Sequence, residues 1–225
     1  MQYKVIFIDW DGTLSRSRFW DRWNDGLEHQ WKYDLLQSTL FISDMGRDLV
    51  KKWMLGDRSY SDIIDYAANV TGIPTEELET ELRYSAENMK FIDRNALELI
   101  RRLRRHGLKV VIATDNMDIF RKWTVPAMRL EERFDDILTS DRRKAFKTHS
   151  TRERTSLFFD NYISKHGIKA HQSALIDDSL DTKIVEQWGI DFFHVTEIEP
   201  LAVHLRRLIE GIESATENAK FETEN

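Results

Sequence analysis

Four short apolar runs limit the folds available to this chain, because each is apolar on both faces and rich in β-branched and aromatic residues. The runs are KVIFID (4–9), LKVVIATD (108–115), SALIDD (173–178) and IDFFHV (190–195). Such runs are typical of parallel strands in a sheet that is covered by helices on both sides. A weaker run, FDDILTS (134–140), falls where a fifth strand would lie.

Helical patterns fill the intervals between these runs. They cover residues 93–107, 116–130, 156–167 and 181–189. Three of them stop at a glycine, which is a frequent residue just beyond a helix end: Gly107, Gly167 and Gly189. Because strands and helices alternate with short connections, the sequence predicts a doubly wound α/β fold with a mostly parallel sheet.

The segment between Ser15 and Lys90 interrupts this alternation, since it contains helical patterns and no convincing strand. Its patterns lie at 18–31, 42–56, 59–72 and 74–89. A helical block inserted directly after the first strand predicts a separate cap domain. We therefore predict an α/β core at 1–15 with 91–212 and an all-helical cap at 16–90. Residues 213–225 are polar and acidic, and we predict that they form a disordered tail.

The first cap pattern carries a stripe of large apolar residues. Trp20, Trp23, Leu27 and Trp31 recur at the spacing of one helix face. This spacing predicts that they form the hydrophobic core of the cap. A second interpretation is that Trp20 or Trp23 reaches the functional site and stacks on a ring-bearing substrate.

Composition and charge exclude several classes of function. The chain has 225 residues and a net charge of −6, which argues against binding nucleic-acid duplexes by phosphate neutralisation. It has no cysteine, so a disulfide framework, a thiolate zinc site and a thiol nucleophile are ruled out. The sequence shows neither a signal-peptide pattern nor an apolar stretch of membrane-spanning length, so we expect a cytoplasmic protein.

Polar side chains stand at the ends of several predicted strands. The carboxyl ends of parallel strands meet at one edge of a sheet, where ligands bind in open α/β folds. The residues expected to converge there are Asp9 and Asp11, Thr114 and Asp115, the loop from Ser140 to Lys147, and Asp177 and Asp178. Several carboxylates gathered without histidine or cysteine favour a hard cation, Mg²⁺ first.

A phosphoryl group would explain the other polar residues at this edge. Lys147 and Thr114 can face its oxygens, because a phosphoryl group needs fixed donors as well as a divalent cation. Asp9 ends a strand, and Asp11 lies beyond it in a turn that Gly12 permits. One carboxylate can attack phosphorus while the other delivers a proton to the departing oxygen.

Motifs at these positions resemble those of the haloacid dehalogenase-like (HAD) superfamily of phosphohydrolases. They match the first, second and fourth motifs of that superfamily: DWDGTL (9–14), VVIATDN (110–116) and ALIDDS (174–179). The resemblance spans residues 3 to about 210 and implies a helical cap of the C1 type, which closes over the substrate. It also implies Asp9 as a nucleophile that forms an aspartyl-phosphate, and Asp11 as general acid and then general base.

The resemblance further implies a cofactor and a substrate. Mg²⁺ would be held by the Asp9 side chain, the Asp11 backbone carbonyl and Asp178. Thr114 and Lys147 would bind the transferring phosphoryl group, and the full set of substrate-binding candidates is Thr114, Asp115, Asn116 and Lys147. The implied activity is Mg²⁺-dependent hydrolysis of a small phosphomonoester, so the expected partner is a small phosphorylated metabolite.

Alternatives remain open for two of the motifs. The third motif lacks the usual proline, so Lys144 competes with Lys147 for its role. The fourth contains DDSLD in place of the commoner G-D-x-x-x-D, so Asp177 competes with Asp178 as metal ligand. Trp10, between the two acids of the first motif, is expected to pack rather than to face the site. A phosphomutase, or a non-catalytic phosphate-binding or regulatory module, would use the same groups.

Basic residues in two loops offer further substrate contacts. SRSRF (15–19) leads from the catalytic turn into the cap, and Arg16 or Arg18 can contact substrate there, although a solvated loop arginine is the commoner case. A second basic cluster surrounds Lys147 and can attract an anionic group or simply offset nearby acids: Arg142, Arg143, Arg152 and Arg154.

Overall fold

A computed structural model describes residues 3–223 and contains one parallel sheet within that range. Its strands are β1 Val5–Ile8, β2 Lys109–Thr114, β3 Asp136–Thr139, β4 Ser173–Asp177 and β5 Asp191–His194. Their spatial order is β3-β2-β1-β4-β5, so the first strand of the sequence lies at the centre. Each strand coincides with a predicted apolar run, and the α/β fold class is confirmed.

Helices occupy the connections between the strands. Those between β1 and β2 are α1 Gln30–Leu36, α2 Asp44–Met54, α3 Tyr60–Thr71, α4 Thr75–Glu87 and α5 Asn95–Arg105. The main helices after β2 are α6 Asp160–Lys165, α7 Thr182–Gln187 and α8 Leu201–Thr223. Shorter helical pieces lie at Asp21–Asn24, Gln37–Ile42, Phe120–Thr124, Val125–Ala127, Leu130–Arg133, Ser140–Arg143 and Ala170–Gln172.

The central strand shows why these runs are apolar on both faces. Val5 and Phe7 of β1 pack on one face of the sheet, in a cluster that includes residues of α6 and α7. Ile6 and Ile8 pack on the other face, in a cluster that includes residues of α5 and α8. Successive side chains of a strand point to opposite faces, so a strand covered on both sides needs apolar residues at every position.

Two cap helices begin where the sequence places capping residues. The Ser43 hydroxyl accepts a hydrogen bond from the Gly46 N–H at 3.1 Å and starts α2. Ser59 and Asp62 form a reciprocal capping box at the start of α3, which ends at Gly72 in the left-handed conformation. These caps satisfy backbone groups that have no partner inside the helix, and they fix the helix limits.

The predicted helix over 18–31 is wrong. The structure has a short 3₁₀ turn at Asp21–Asn24, and α1 begins only at Gln30. Trp20 adopts a left-handed backbone (φ 59°) because its N–H donates to the Ser85 hydroxyl and its Nε1–H donates to the Leu78 carbonyl. These two tertiary hydrogen bonds hold Trp20 outside helical geometry, so local spacing does not decide the conformation here.

The predicted apolar stripe is therefore divided. Trp20 and Trp23 are buried in the cap core, whereas Leu27 is 97% exposed and Trp31 is 56% exposed. The prediction of a shared core face is correct for the first pair and wrong for the second. Stacking of Trp20 on a substrate is contradicted as well, because its ring is fully buried among other residues of the cap.

The helical segment rests on the sheet through the residues that follow β2. Met117, Ile119 and Trp123 belong to the same buried cluster as the cap helices. The Trp53 Nε1–H donates to Asp118 Oδ1 at 2.6 Å, and the Ser140 hydroxyl donates to the Met54 carbonyl at 2.7 Å. The cap is thus tied to the core by apolar packing and by hydrogen bonds. The predicted domain limits of 16–90 and 91–212 stay a prediction.

The disorder predicted for 213–225 stays a prediction, although the last helix extends into this segment. α8 continues through Glu213 to Thr223 without interruption, and residues 224–225 lie outside the described part of the chain. Glu213 accepts a hydrogen bond from Arg102 on α5 at 2.9 Å and lies 3.4 Å from His106. Glycine and proline are absent beyond Glu213, so nothing in the sequence stops the helix. Among residues 3–223 no helix has both the length and the apolarity that crossing a membrane requires.

We expect the Trp53–Asp118 hydrogen bond to couple the cap to the core energetically. Trp53→Phe and Asp118→Ala should each lower the free energy of unfolding by about 1–3 kcal/mol, and the double variant should lose less than their sum. Urea unfolding measures all three variants. The exposed pair Asp44–Arg47 is the control cycle and should show almost no coupling. Strictly additive losses at Trp53 and Asp118 would show that this bond does not connect the two parts.

Candidate active site

The register of the sheet brings three strand ends to one level. Ile8 of β1 lies opposite Ile112 of β2 and Ile176 of β4. Asp9 therefore follows its strand beside Asp177, with Thr114 at the end of β2 on the other side. The sequence prediction that these groups converge is met by the geometry, because parallel strands carry their carboxyl ends to the same edge.

A buried lysine joins two of these strand ends. Lys147 is only 3% exposed, its Nζ lies 2.7 Å from Asp9 Oδ1, and it donates a hydrogen bond to Asp177 Oδ2. Its backbone N–H donates to Asp115 Oδ1 at 2.9 Å, which fixes the loop against the end of β2. Lys144 points elsewhere, toward the Gly56 carbonyl and Asp57 on the cap side. Of the two lysines that the sequence left open, the structure brings Lys147 to the carboxylates.

The two acids at the end of β4, Asp177 and Asp178, differ in the number of hydrogen bonds that their carboxylates accept. Asp177 Oδ1 accepts from the Ser179 N–H, the Ser179 hydroxyl and the Leu180 N–H at 2.8, 3.0 and 3.1 Å. Its other oxygen accepts from Lys147. Asp178 is only partly buried, and its Oδ1 accepts a long hydrogen bond, 3.5 Å, from the Thr13 hydroxyl. Asp178 therefore has more capacity to bind a ligand, whereas Asp177 positions Lys147.

An acidic cluster forms at this edge. Asp9, Asp177 and Asp178 each offer a carboxylate oxygen, and these oxygens lie within 4.8 Å of one another. The Asp11 side chain is not part of this group, and it is exposed where Asp9 is buried. The implied role of the Asp11 backbone carbonyl as a metal ligand stays a prediction.

The charges of the cluster are not balanced by protein groups alone. One ammonium, that of Lys147, faces three carboxylates in a largely buried setting, and unpaired buried charge is costly. The donors are all carboxylate oxygens, without histidine or cysteine, which is the chemistry of a hard divalent cation. Asp9, Asp177 and Asp178 thus fit such a cation.

The pKa values follow from burial and from Lys147. Burial raises the pKa of Asp9 to about 7, against the lowering effect of the Lys147 ammonium. Asp11 is more exposed, but desolvation by its surroundings still raises the pKa of its carboxyl above the ordinary value, and the Arg18 guanidinium opposes that rise. Burial would raise the pKa of Asp177 too, but Lys147 and the Ser179 hydrogen bonds hold it below its ordinary value. The carboxylates in turn raise the pKa of Lys147, although burial alone would lower it.

The remaining predicted residues line the end of β2. Thr114 and Asn116 are buried and Asp115 is partly buried. The Asn116 Oδ1 accepts from the Met117 N–H at 3.0 Å, and its backbone N–H donates to the Ser140 hydroxyl at 2.9 Å. Asn116 thus holds the shape of its own loop. Substrate binding by these three residues stays a prediction.

Two residues that support the site were missed in the sequence analysis. Ser179 holds Asp177 in place through two hydrogen bonds, and the Thr13 hydroxyl lies next to Asp178. A serine two positions after a strand-end aspartate is a sequence signal of an Asx turn, so Ser179 could have been found. Trp10 packs against Phe91 and Phe120 with ring centroids 5.7 and 5.1 Å away, as expected for a packing residue.

The sequence matches a known protein family over most of its length. A family model described as a haloacid dehalogenase-like hydrolase matches residues 3–183. The chain belongs to the haloacid dehalogenase-like hydrolase family. The expected superfamily is thereby confirmed, and the chain is assigned to the hydrolases of that family. A search among curated proteins returned no match.

Solved structures of this family have a similar fold at low sequence identity. A HAD family enzyme from Bacteroides thetaiotaomicron, bt-2542, in complex with magnesium and inorganic phosphate, has a TM-score of 0.60 and 18% identity, over 86% of this chain and 94% of that one. The L-2-haloacid dehalogenase from Xanthobacter autotrophicus has a TM-score of 0.59 and 14% identity, over 86% and 77% of the two chains. Structures of this fold thus include both a phosphate complex and a dehalogenase, so the fold alone does not select the reaction.

Gly12 is required by the position of Asp178. It lies at φ +78°, and a Cβ there would come within 2.0 Å of Asp178 Oδ2. We expect Gly12→Ala to displace the Asp178 carboxylate and to weaken Mg²⁺ binding by about 10- to 100-fold, as measured by isothermal titration. Alanine in this left-handed backbone conformation should also lower the free energy of unfolding by about 1–2 kcal/mol.

Gly107→Ala is the matched control for Gly12→Ala. Gly107 has a similar φ of +82° but open space around its added Cβ. It should therefore show the backbone penalty alone, with unchanged Mg²⁺ affinity. Equal Mg²⁺ affinities in the two variants would contradict the close approach between Gly12 and Asp178.

Proposed function

We propose that this protein is a Mg²⁺-dependent phosphatase that hydrolyses a small phosphomonoester through an aspartyl-phosphate at Asp9. The observation that carries the proposal is the acidic cluster of Asp9, Asp177 and Asp178 around a single lysine. A divalent cation would relieve the excess negative charge, and a phosphoryl group needs such a cation together with fixed donors.

The second acid favours phosphoryl transfer over dehalogenation. Displacement of a halide from carbon needs a carboxylate nucleophile but no proton donor for the leaving group and no metal. Asp11 stands two residues from Asp9 in a more exposed setting, as expected of a separate acid. Phosphate and magnesium in the bt-2542 complex are in line with this choice, whereas the dehalogenase relatives make halide release the alternative to test.

The first chemical step forms a bond between Asp9 and phosphorus. A carboxylate oxygen of Asp9 attacks the phosphorus atom, the bond to the leaving-group oxygen breaks, and Asp11 gives that oxygen a proton. Lys147, with Thr114, binds the phosphoryl oxygens and offsets their charge. Asp177 keeps the Lys147 ammonium in place beside Asp9.

The second step regenerates the enzyme. Asp11, now a carboxylate, takes a proton from a water molecule whose oxygen attacks phosphorus, and the bond from phosphorus to the Asp9 oxygen breaks. Inorganic phosphate and the alcohol are the products, and both aspartates return to their starting states. Mg²⁺, held by Asp9 and Asp178, would supply charge neutralisation for the phosphoryl oxygens. A small phosphorylated metabolite is the proposed substrate, and the cytoplasmic location stays a prediction.

The nucleophile is tested with p-nitrophenyl phosphate and Mg²⁺. Wild type should release p-nitrophenol and phosphate, and EDTA should abolish this activity. Asp9→Asn should lower kcat by about 10³-fold or more, because an amide is a poor nucleophile. Asp44→Asn, on an exposed side chain in the cap, is the control and should keep wild-type activity. Halide release from a 2-halo acid without Mg²⁺, with no phosphate release from any ester, would overturn the phosphatase proposal in favour of a dehalogenase.

The proton donor is tested by changing the leaving group. Asp11→Asn should lower kcat/KM for ethyl phosphate by about 10²–10⁴-fold, because ethoxide needs a proton to depart. The same variant should lose much less kcat/KM on p-nitrophenyl phosphate, whose phenolate leaves without protonation. Steady-state kinetics on both esters give the two ratios. Equal losses on both substrates would show that Asp11 does not protonate the leaving group.

A further inference from the structure

Two arginines beside the site, Arg16 and Arg18, form no side-chain hydrogen bond or salt bridge within residues 3–223, although the Arg18 charge acts on Asp11. Both are exposed. Two other exposed arginines of the cap are engaged, Arg22 with Glu81 and Arg47 with Asp44. Arg58 is likewise exposed and forms no hydrogen bond or salt bridge within the described residues, but it lies away from the acidic cluster. Arg16 and Arg18 are distinguished by their location, because they line a cleft together with Asp11 and Asp178.

The backbone that carries these arginines is fixed. Ser15 is fully buried and bridges to Phe91, and its hydroxyl accepts from the Ser17 N–H at 3.1 Å. The Ser17 hydroxyl in turn accepts from the Lys90 N–H at 2.9 Å. Hydrogen bonds thus hold the chain on both sides of Arg16, and the position of the arginines is set by the fold and not by a free loop.

Both arginines line a large cleft that starts at the catalytic acids. The cleft has a volume of about 840 Å³, and its wall includes Asp11 and Asp178 as well as Arg16 and Arg18. A second cavity of about 700 Å³ shares the two arginines and continues toward Lys90. Arg16 and Arg18 therefore border both cavities, which we call the groove.

The acidic residues that line the groove do not pair with the two arginines. Asp93 also lines the cleft, but its Oδ1 accepts the Asn95 N–H at 2.8 Å near the start of α5. Glu197 is exposed on the loop after β5. Asp11 and Asp178 have the roles proposed above. Asp21 and Asp25 line the second cavity. None of these acids forms a hydrogen bond or salt bridge with Arg16 or Arg18 in the described residues, which leaves the arginine donors available to a ligand.

We propose that Arg16 and Arg18 bind a second anionic group of the substrate, a carboxylate or a second phosphate, on its leaving-group side. Asp11 protonates the leaving oxygen, so the rest of the leaving group extends from Asp11 into the cleft that the arginines line. A guanidinium presents paired N–H donors that match the two oxygens of a carboxylate or phosphate. The inference rests on the proposed phosphatase activity and adds the substrate class: a phosphomonoester with a further negative charge.

The kinetic test compares substrates that differ only in this charge. Phosphoglycolate carries a carboxylate, ethane-1,2-diyl bisphosphate a second phosphate, and ethyl phosphate neither. Wild type should prefer at least one of the charged esters, and Arg18→Gln or Arg16→Gln should reduce its kcat/KM for that ester by about 10- to 100-fold. The loss should appear in KM and leave kcat nearly unchanged, because the arginines bind ground state and transition state alike. Turnover of ethyl phosphate should stay within about threefold of wild type.

Two further variants separate a specific contact from a general charge effect. Arg18→Lys keeps the charge but loses the paired donors, so its kcat/KM for the charged ester should lie between those of wild type and Arg18→Gln. Arg47→Gln removes an exposed arginine of α2 and should leave kcat/KM unchanged for both the charged ester and ethyl phosphate.

A binding measurement separates this inference from the proposed function. Isothermal titration in Mg²⁺ compares 3-phosphonopropionate with propylphosphonate, which lacks the carboxylate, and 1,3-propanediphosphonate supplies the second phosphonate. The anion site is supported if wild type binds a phosphonate with the second charge more tightly than propylphosphonate, and if the double variant Arg16→Gln/Arg18→Gln loses this preference. This result counts even where no ester is hydrolysed. Equal binding of the three phosphonates, or a preference that survives loss of both arginines, overturns it even where p-nitrophenyl phosphate is hydrolysed.

Discussion

The buried contact of Lys147 with Asp9 and Asp177 is the interaction on which the rest of the site depends. A lysine side chain that is almost fully buried is tolerated only with charged partners, and removal of one partner of such a pair typically costs about 3–5 kcal/mol. Lys147 lies in the loop after β3, whereas its partners end β1 and β4. The ammonium therefore joins separate connections of the sheet, and the position of Asp9 is set by tertiary structure.

Burial of the lysine creates an excess of negative charge that defines the site. Each carboxylate near Lys147 increases the electrostatic advantage of a further cation, and Asp178 adds one more carboxylate with few hydrogen bonds of its own. The same hydrogen bonds that commit Asp177 to Lys147 leave Asp178 as the freer ligand. Asp177 and Asp178 are neighbours in sequence, and the hydrogen bonds from Ser179, Leu180 and Lys147 to Asp177 give them different tasks.

The sequence was sufficient where a residue's environment follows from its strand. Every strand was found, because burial on both faces of a sheet demands uninterrupted apolar runs, and the parallel arrangement then predicted that Asp9, Thr114 and Asp178 meet. It failed where tertiary contacts override local pattern. Trp20 leaves helical geometry because Ser85 and Leu78, distant in sequence, bind it. The polar composition of the tail likewise gave no sign that α8 extends into it, with Glu213 bonded to Arg102.

The fold does not by itself choose between attack on carbon and attack on phosphorus, because a carboxylate at the end of β1 can do either. The choice depends on what surrounds that carboxylate. Trp10 packs between Phe91 and Phe120 and anchors the turn, so that Asp9 stays buried beside Lys147 while Asp11 emerges toward the cleft. A nucleophile needs the dry, fixed position, and a proton donor needs access to the leaving group. The turn after β1 provides both positions within three residues, and this separation favours phosphoryl transfer in addition to the acidic cluster around Lys147.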